Sequence, residues 1–317
     1  DKWNKEENLN IDWIAFRDRY FTAIIEPNEQ AKNYFVKNIN DEALVVGSGV
    51  STIVNSGATI SLEYKVYAGP QKLDIMEKAG KNFTSLMVFS NWGWLDAVSK
   101  VMYWLLGILY NILHSWGLCI IAISLIVYGA MYPLTAKSLV SMKKLQALQP
   151  KMKEIQEKHK NNPERLNKEV VELYKTHQVN PLGGCLPMLL QMPIFVGLYQ
   201  VLWRSVYFRG ESFLWIKDLS LPDHTIKLSF TLPFLGEYVN VLPILMIGIM
   251  MIQQKLNMQS MAAATPEQAT QQKIMAIVFP FLIGFVFYNM ASGLNLYFVI
   301  FYLLSTLTQW KITSTSK

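Results

Sequence analysis

Between Met131 and Phe195 the chain reads as a helix leaving a membrane, a basic helical hairpin in water, and a helix going back in. The exit is Met131-Tyr132-Pro133-Leu134-Thr135. The re-entry runs from Asn180-Pro181-Leu182-Gly183-Gly184-Cys185-Leu186-Pro187 to Gln191-Met192-Pro193-Ile194-Phe195. The run before the exit, about 115–135, carries no charge and is long enough to cross about 30 Å of hydrocarbon. Few chains place so charged a hairpin between two apolar runs, so this stretch constrains the fold more than any other.

The rest of the composition agrees. Of 317 residues, 51% are hydrophobic and 16% charged, with mean hydropathy +0.20. Soluble domains average about 25% charged. The pI near 9.1 is explained by positive cytoplasmic loops. There is no nucleic-acid-binding motif and no basic stripe interleaved with aromatics. Cys119 and Cys185 open two oppositely directed spans, near opposite membrane faces, so they read as packed apolar residues and not a disulfide. The chain begins at Asp1 and reads as a fragment of a longer precursor.

Residues 1–78 read as water-soluble and β-rich, the C-terminal part of a sandwich domain. Ala43-Leu44-Val45-Val46, Ser51-Thr52-Ile53-Val54 and Thr59 to Tyr67 are the strand candidates, the last because it alternates. Residues 79–114 form a linker and an amphipathic, Trp-rich helix suited to the membrane interface. Residues 115–310 hold five spans: 115–135, 182–203, and three apolar runs at about 240–254, 274–289 and 294–310. The last three have about 15 to 17 residues and reach only about 25 Å, which should thin the bilayer locally. Residues 204–240 read as a polar loop, and 311–317 as a short tail.

The hairpin occupies 136–179. Leu139, Met142, Leu145, Leu148, Met152 and Ile155 form an apolar stripe on its first arm, and Leu166, Val170, Leu173 and Tyr174 one on its second. Pro150 should kink the first arm. Asn162 fits an N-cap and Pro163 the first helical position of the second. Ten Lys and Arg lie between 136 and 180, against four (Arg204, Arg209, Lys217, Lys227) in 204–240. The hairpin and C-terminus are therefore expected inside and the N-terminal region outside.

Catalytic signals are weak throughout the sequence. His114, His159, His177 and His224 are scattered, with no metal spacing, and neither HExxH nor GxSxG occurs. Gly80-Lys81 is no phosphate loop, because Ile75 stands where the first glycine belongs. Neither a metal nor a cofactor is called for, and an enzyme is not expected. The polar residues of the spans carry more information. Ser124, Tyr128, Met131 and Thr135 share one helix face, Asn295, Tyr302, Thr306 and Gln309 share another, and Gln191 sits in the second span. Hydroxyls in spans often bond back to their own helix, and polar groups also glue helices together. A shared wet cavity competes with both readings.

These motifs resemble the YidC family of bacterial membrane protein insertases. The resemblance rests on Gly129 with Met131 to Thr135, Leu148-Gln149-Pro150-Lys151, Leu173-Tyr174-Lys175 and Val179 to Phe195. Gln271-Gln272-Lys273-Ile274-Met275 and Ser292-Gly293-Leu294 with Leu296-Tyr297 also fit. It implies an α-helical polytopic protein of the bacterial inner membrane: a five-helix insertase core with a cytoplasmic hairpin, preceded by the end of a periplasmic β-sandwich. Such a protein is a chaperone and insertase. It moves client spans from cytoplasm to bilayer through a hydrophilic groove, without nucleotide. The expected partners are nascent membrane proteins and the lipid bilayer, with the ribosome and the Sec translocon as further candidates. No nucleic acid is recognised directly.

The groove candidates are Ser124, Tyr128, Gln191, Asn295 and Tyr297, with Phe195 and Phe279 on a greasy exit surface. Met142, Lys143, Lys144, Lys151 and Met152 are candidates for cytoplasmic client or ribosome contact, although the two methionines suit the hairpin core better. One position departs from the family: Tyr128 stands where the family carries an arginine in the first core span, which predicts weaker attraction for acidic client tails. No long basic tail follows Trp310, so ribosome contact would fall to the hairpin and to 255–273. A channel or secondary transporter with a polar intramembrane cavity is the alternative, although no internal repeat supports it.

Overall fold

The computed structural model describes residues 5–7, 11–29, 31–40, 43–50, 52–80, 82–160, 162–179, 186–233, 235–260 and 266–314. The re-entry residues Asn180 to Cys185, and the side chains through Met188, lie outside the described residues. The chain divides into two compact units, residues 1–88 with 204–206, and residues 89–203 with 207–317.

The first unit holds two three-stranded antiparallel sheets. One has the order β1 (Lys5–Glu7), β4 (Asn33–Asn40), β5 (Ala43–Gly49). The other has the order β2 (Ile14–Arg17), β3 (Phe21–Pro27), β6 (Tyr64–Pro70). Central strand β3 turns Thr22 and Ile24 inward, and its register sets Ile24 opposite Ala15 and Tyr67. Helix α1 (Leu73–Ala79) follows and buries Met76. The expected strand at 51–54 is not formed: residues 52–54 are exposed and irregular, because no neighbouring strand pairs with them. The alternating run from Thr59 enters a sheet only at Tyr64.

The second unit is helical: α2 (Gly93–Leu113), α3 (Trp116–Ala147), α4 (Gln149–Lys158), α5 (Pro163–Thr176), α6 (Leu186–Arg204), α7 (Val241–Ser260), α8 (Pro266–Phe287) and α9 (Ser292–Ser314). Helix α2 buries Leu95, Ser99 and Leu106 while exposing Trp94, Val101, Trp104, Ile108 and Ile112 on another face. Its C-terminal end stacks Tyr110 on Trp116 at 4.2 Å, and Trp116 in turn stacks on Tyr207 at 4.9 Å.

Helix α3 runs unbroken through the exit motif, although Pro133 cannot donate to the Gly129 carbonyl. Within it, Trp116–Leu145 is the one described helix long and apolar enough by itself to cross a membrane. The apolar parts of α7 and α8, Val241–Leu256 and Lys273–Phe287, are shorter. The full helices are nonetheless longer than the apolar runs suggest, at 20, 22 and 23 residues for α7, α8 and α9, because polar turns extend them.

Pro150 does not kink an otherwise continuous arm. The helix breaks at Leu148, and Pro150 starts α4, where its missing N–H costs nothing. Asn162 caps α5, accepting from the Arg165 N–H at 3.0 Å, with Pro163 next. Helices α4 and α5 pack together and bury Leu148, Met152 and Val170. The Tyr174 hydroxyl lies 3.6 Å from the Met152 sulfur, and burial pushes that phenol's pKa up.

Residues 204–240 are more ordered than a loop. They contain the hairpin β7 (Ile226–Leu232) and β8 (Gly236–Val239), and a segment that seals two helix ends. Asp223, 2% exposed, accepts from the Val241 and Leu242 N–H groups at 2.7 and 2.9 Å and from the Thr225 hydroxyl at 3.0 Å. It caps α7 from a distant loop. The residue at the cap position itself, Asn240, faces elsewhere: it accepts from the His224 N–H and donates to the Tyr288 carbonyl. The first turn of α9 is held likewise, with the Ser292 and Gly293 N–H groups donating to the Leu221 and Leu219 carbonyls. Close packing here uses glycine. A Cβ on Gly117 would sit 2.0 Å from the Phe213 ring.

Candidate functional site

Helix α9 is the axis of the core. It packs along α3 on one side and α7 on another, with α8 outside α7 and α2 outside α3. Among the described residues α6 makes no seam of comparable extent with any helix. It is joined through side chains: Gly197 sits against Val98, and Phe195 lies 5.1 Å from Phe298 and 5.9 Å from Phe287.

Three polar pairs cross these helices. The Tyr128 hydroxyl donates to Thr308 Oγ1 at 2.5 Å, linking α3 to α9. Gln191 Nε2 donates to the Tyr297 hydroxyl at 2.7 Å, linking α6 to α9. Gln253 Nε2 donates to Ser305 Oγ at 2.7 Å, linking α7 to α9. In hydrocarbon a polar group without a partner is costly, so such pairs fix which helix faces meet. Gln191 Oε1 has no partner among the described residues. Beyond the seam, Lys143 donates to the Ile312 carbonyl in the last turn of α9, where the helix dipole favours a cation.

The structure brings together only some of the residues singled out from sequence. Tyr128, Gln191 and Tyr297 meet α9 as described, Tyr128 being 7% exposed and Tyr297 fully buried. Ser124 is fully buried and donates to its own helix, at the Ile120 carbonyl, 2.6 Å away. Thr135 and Thr306 do the same, so back-bonding accounts for all three hydroxyls. Asn295, 1% exposed, does not join the seam. Its amide donates to the Phe287 and Met290 carbonyls and closes the C-terminal end of α8.

Phe195 and Phe279 are both half-buried, Phe195 within an aromatic cluster with Phe287 and Phe298. The outward apolar face belongs to their neighbours on α8, Val278, Phe281, Leu282 and Phe285. Met152, 1% exposed, is hairpin core and presents no contact surface, while Met142 is half-buried. Lys144 and Lys151 are exposed, with Lys151 Nζ 3.0 Å from His177 Nε2. Sequence reasoning missed Gln253, Ser305 and Thr308. The signal was present, since amides and hydroxyls inside apolar runs seek partners.

The comparisons with known proteins agree along the whole chain. The family model described as 60Kd inner membrane protein matches residues 108–317, and that described as YidC periplasmic domain matches residues 1–105. The protein named membrane protein insertase YidC of Chlorobium phaeovibrioides is 35% identical over 324 residues, covering 99% of this chain and 54% of its own length. Its namesake in Cupriavidus pinatubonensis is 37% identical over 303 residues, covering 95% and 50%. The chain thus spans about half the length of the curated relatives it matches. A solved structure, described as an active YidC insertase crystal structure with the first transmembrane domain resolved, shares the fold. It has a TM-score of 0.54 and 23% identity, and the match covers 96% of this chain and 64% of that one. The chain belongs to the 60Kd inner membrane protein family, that of the YidC insertases, with a periplasmic-domain region at its N-terminal end and a helical core after it.

Proposed function

We propose that this chain is the inserting part of a membrane protein insertase and chaperone of the bacterial inner membrane. In this reading residues 115–310 form a five-span core with hairpin 136–179 in the cytoplasm. Residues 1–78 lie in the periplasm, residues 79–114 lead to the membrane surface, and residues 311–317 end inside. The observation that carries it is the uncharged polar seam Tyr128–Thr308, Gln191–Tyr297 and Gln253–Ser305, set within apolar helices, in a chain of this family. A client's polar flank passes along that seam while its apolar segment enters lipid between α6 and its neighbours. The exposed Lys144 and Lys151 meet the incoming client or the ribosome.

The energetics require no fuel. Apolar residues gain roughly 0.3–0.6 kcal/mol each on insertion, and a charged one costs roughly 2.5–3.5 kcal/mol. A span of about 20 apolar residues therefore offsets the passage of about three charged ones. Polar partners along the path, with short apolar stretches that thin the bilayer, lower the barrier further.

The test is reconstitution of the purified chain in liposomes with a small single-span client and no nucleotide. Protease protection of the translocated flank is expected. Solute flux without protection would favour a channel and overturn the proposal.

A further inference from the structure

We infer that the intramembrane path is blind to the sign of charge and takes flanks of uncharged, hydrogen-bonding residues. This rests on the insertase reading above. Residues 116–136, 186–203, 241–254 and 274–310 contain no Asp, Glu, Lys, Arg or His. Every polar group the core offers at that depth is neutral: an amide, a hydroxyl, an indole N–H, a thiol or backbone.

Position 128 could have supplied a polar handle at the centre of the path, but its hydroxyl proton is committed to Thr308. Its ring is packed 5.6 Å from Phe301 and 6.5 Å from Tyr132. Gln191 is different. Its nitrogen is held by Tyr297, while its oxygen is shielded from water and has no partner among the described residues. An acceptor in that state is matched by a neutral donor: a peptide N–H or an Asn, Gln, Ser or Thr side chain. A fixed cation on the path would ease a carboxylate through and oppose an ammonium. Neutral dipoles solvate both signs about alike, and neither as well as water does.

The first cations along the helices are Lys137, Arg204, Lys255, Lys273 and Lys311, at the ends of the apolar stretches. They attract acidic flanks only over a screening length, about 10 Å at 0.1 M salt and shorter above it. The assay is therefore run at high salt to silence them.

Liposomes of neutral phospholipid carrying the full chain, without a membrane potential, are given one single-span client whose short translocated flank is Asn-rich, Asp-rich or Lys-rich. The Asn flank is expected to insert at least about tenfold better than either charged flank. The Asp and Lys flanks are expected to agree within about twofold. Tyr128→Arg should split them, with Asp exceeding Lys by about tenfold. Gln191→Leu should lower insertion of the Asn flank by about threefold or more relative to the charged flanks. A preference for either charge sign in the unmodified chain overturns the inference and leaves the insertase reading standing. An unchanged Asn flank in Gln191→Leu removes Gln191 from the path. Failure of the Asn client to insert at all takes the insertase reading down with it.

Discussion

Replacing Asp223 should loosen α7 by an amount that depends on which atom is removed. One oxygen, Oδ2, takes all three bonds: from the Val241 N–H, the Leu242 N–H and the Thr225 hydroxyl. The other, Oδ1, is buried with no partner among the described residues. In Asp223→Ala two buried helix N–H groups lose their acceptor, at about 1–3 kcal/mol each. The favourable charge at the helix N-terminus goes too, worth up to about 2 kcal/mol in a partly buried setting. The expected loss is about 3–5 kcal/mol. In Asp223→Asn an oxygen remains on the same donors and the new amide nitrogen takes the place of Oδ1. Only the charge contribution is lost, about 1–2 kcal/mol. Denaturant titration in lipid micelles, followed by far-UV circular dichroism, reads the global loss, and hydrogen exchange at Val241 and Leu242 reads the local one. If Asp223→Ala matches the unmodified chain within about 0.5 kcal/mol, with unchanged exchange at those amides, the remote cap has no energetic role and the reasoning fails.

Two further outcomes follow from the periphery of the helical unit. Asp96 is subject to burial, which raises its pKa. Its bonds with Lys100 (2.8 Å) and from the Phe89 and Ser90 N–H groups outweigh that and hold it below the usual carboxylate range. A folded pKa below the unfolded value stabilises the protein above the unfolded value, about 3.9, and that contribution disappears as pH falls through the lowered one. Acidification below about pH 4 should therefore free the start of α2, seen as faster exchange at Phe89 and Ser90 and a change in Trp94 fluorescence, and Asp96→Asn should abolish that pH dependence. Met152→Ala should cost the hairpin about 2–5 kcal/mol, measured as raised protease sensitivity between α4 and α5, because the side chain is fully enclosed.

What could be read directly from the chain was local chemistry. The Asn162–Pro163 helix start and the apolar stripes of the hairpin depend on residues a few positions apart; the helix start is present as expected, and of the stripes Leu148, Met152 and Val170 are buried, the first stripe being divided between α3 and α4. Strands β1 to β4 went unread because their stability comes from partners far along the chain. β4, Asn33–Asn40, is polar enough to pass for a loop until β5 pairs with it. Residues 52–54 show the converse, β-branched side chains without a neighbour. Helical periodicity identified the faces carrying Asn295 and Phe195 but not what each face meets. Asn295 turned out to close the end of α8, and Phe195 to join Phe287 and Phe298. Asp223 had no local signature, since a cap supplied from far upstream of Val241 looks in sequence like any loop carboxylate.

The unbroken course of α3 has a mechanical corollary. Its 32 residues make a rod of about 48 Å, with the elbow at Leu148. Tyr128 and the lysines at 143 and 144 ride on the same helix, with the hydrogen bond that Pro133 cannot make as the soft point between them. Torque applied to α4 and α5 is dissipated at the elbow. Torque applied at Lys143 or Lys144 becomes tilt at the depth of Tyr128, about 22 Å away. On the topology proposed above, the chain has one shoulder where a load on the hairpin side is felt at the depth of Tyr128, and a forearm where it is not.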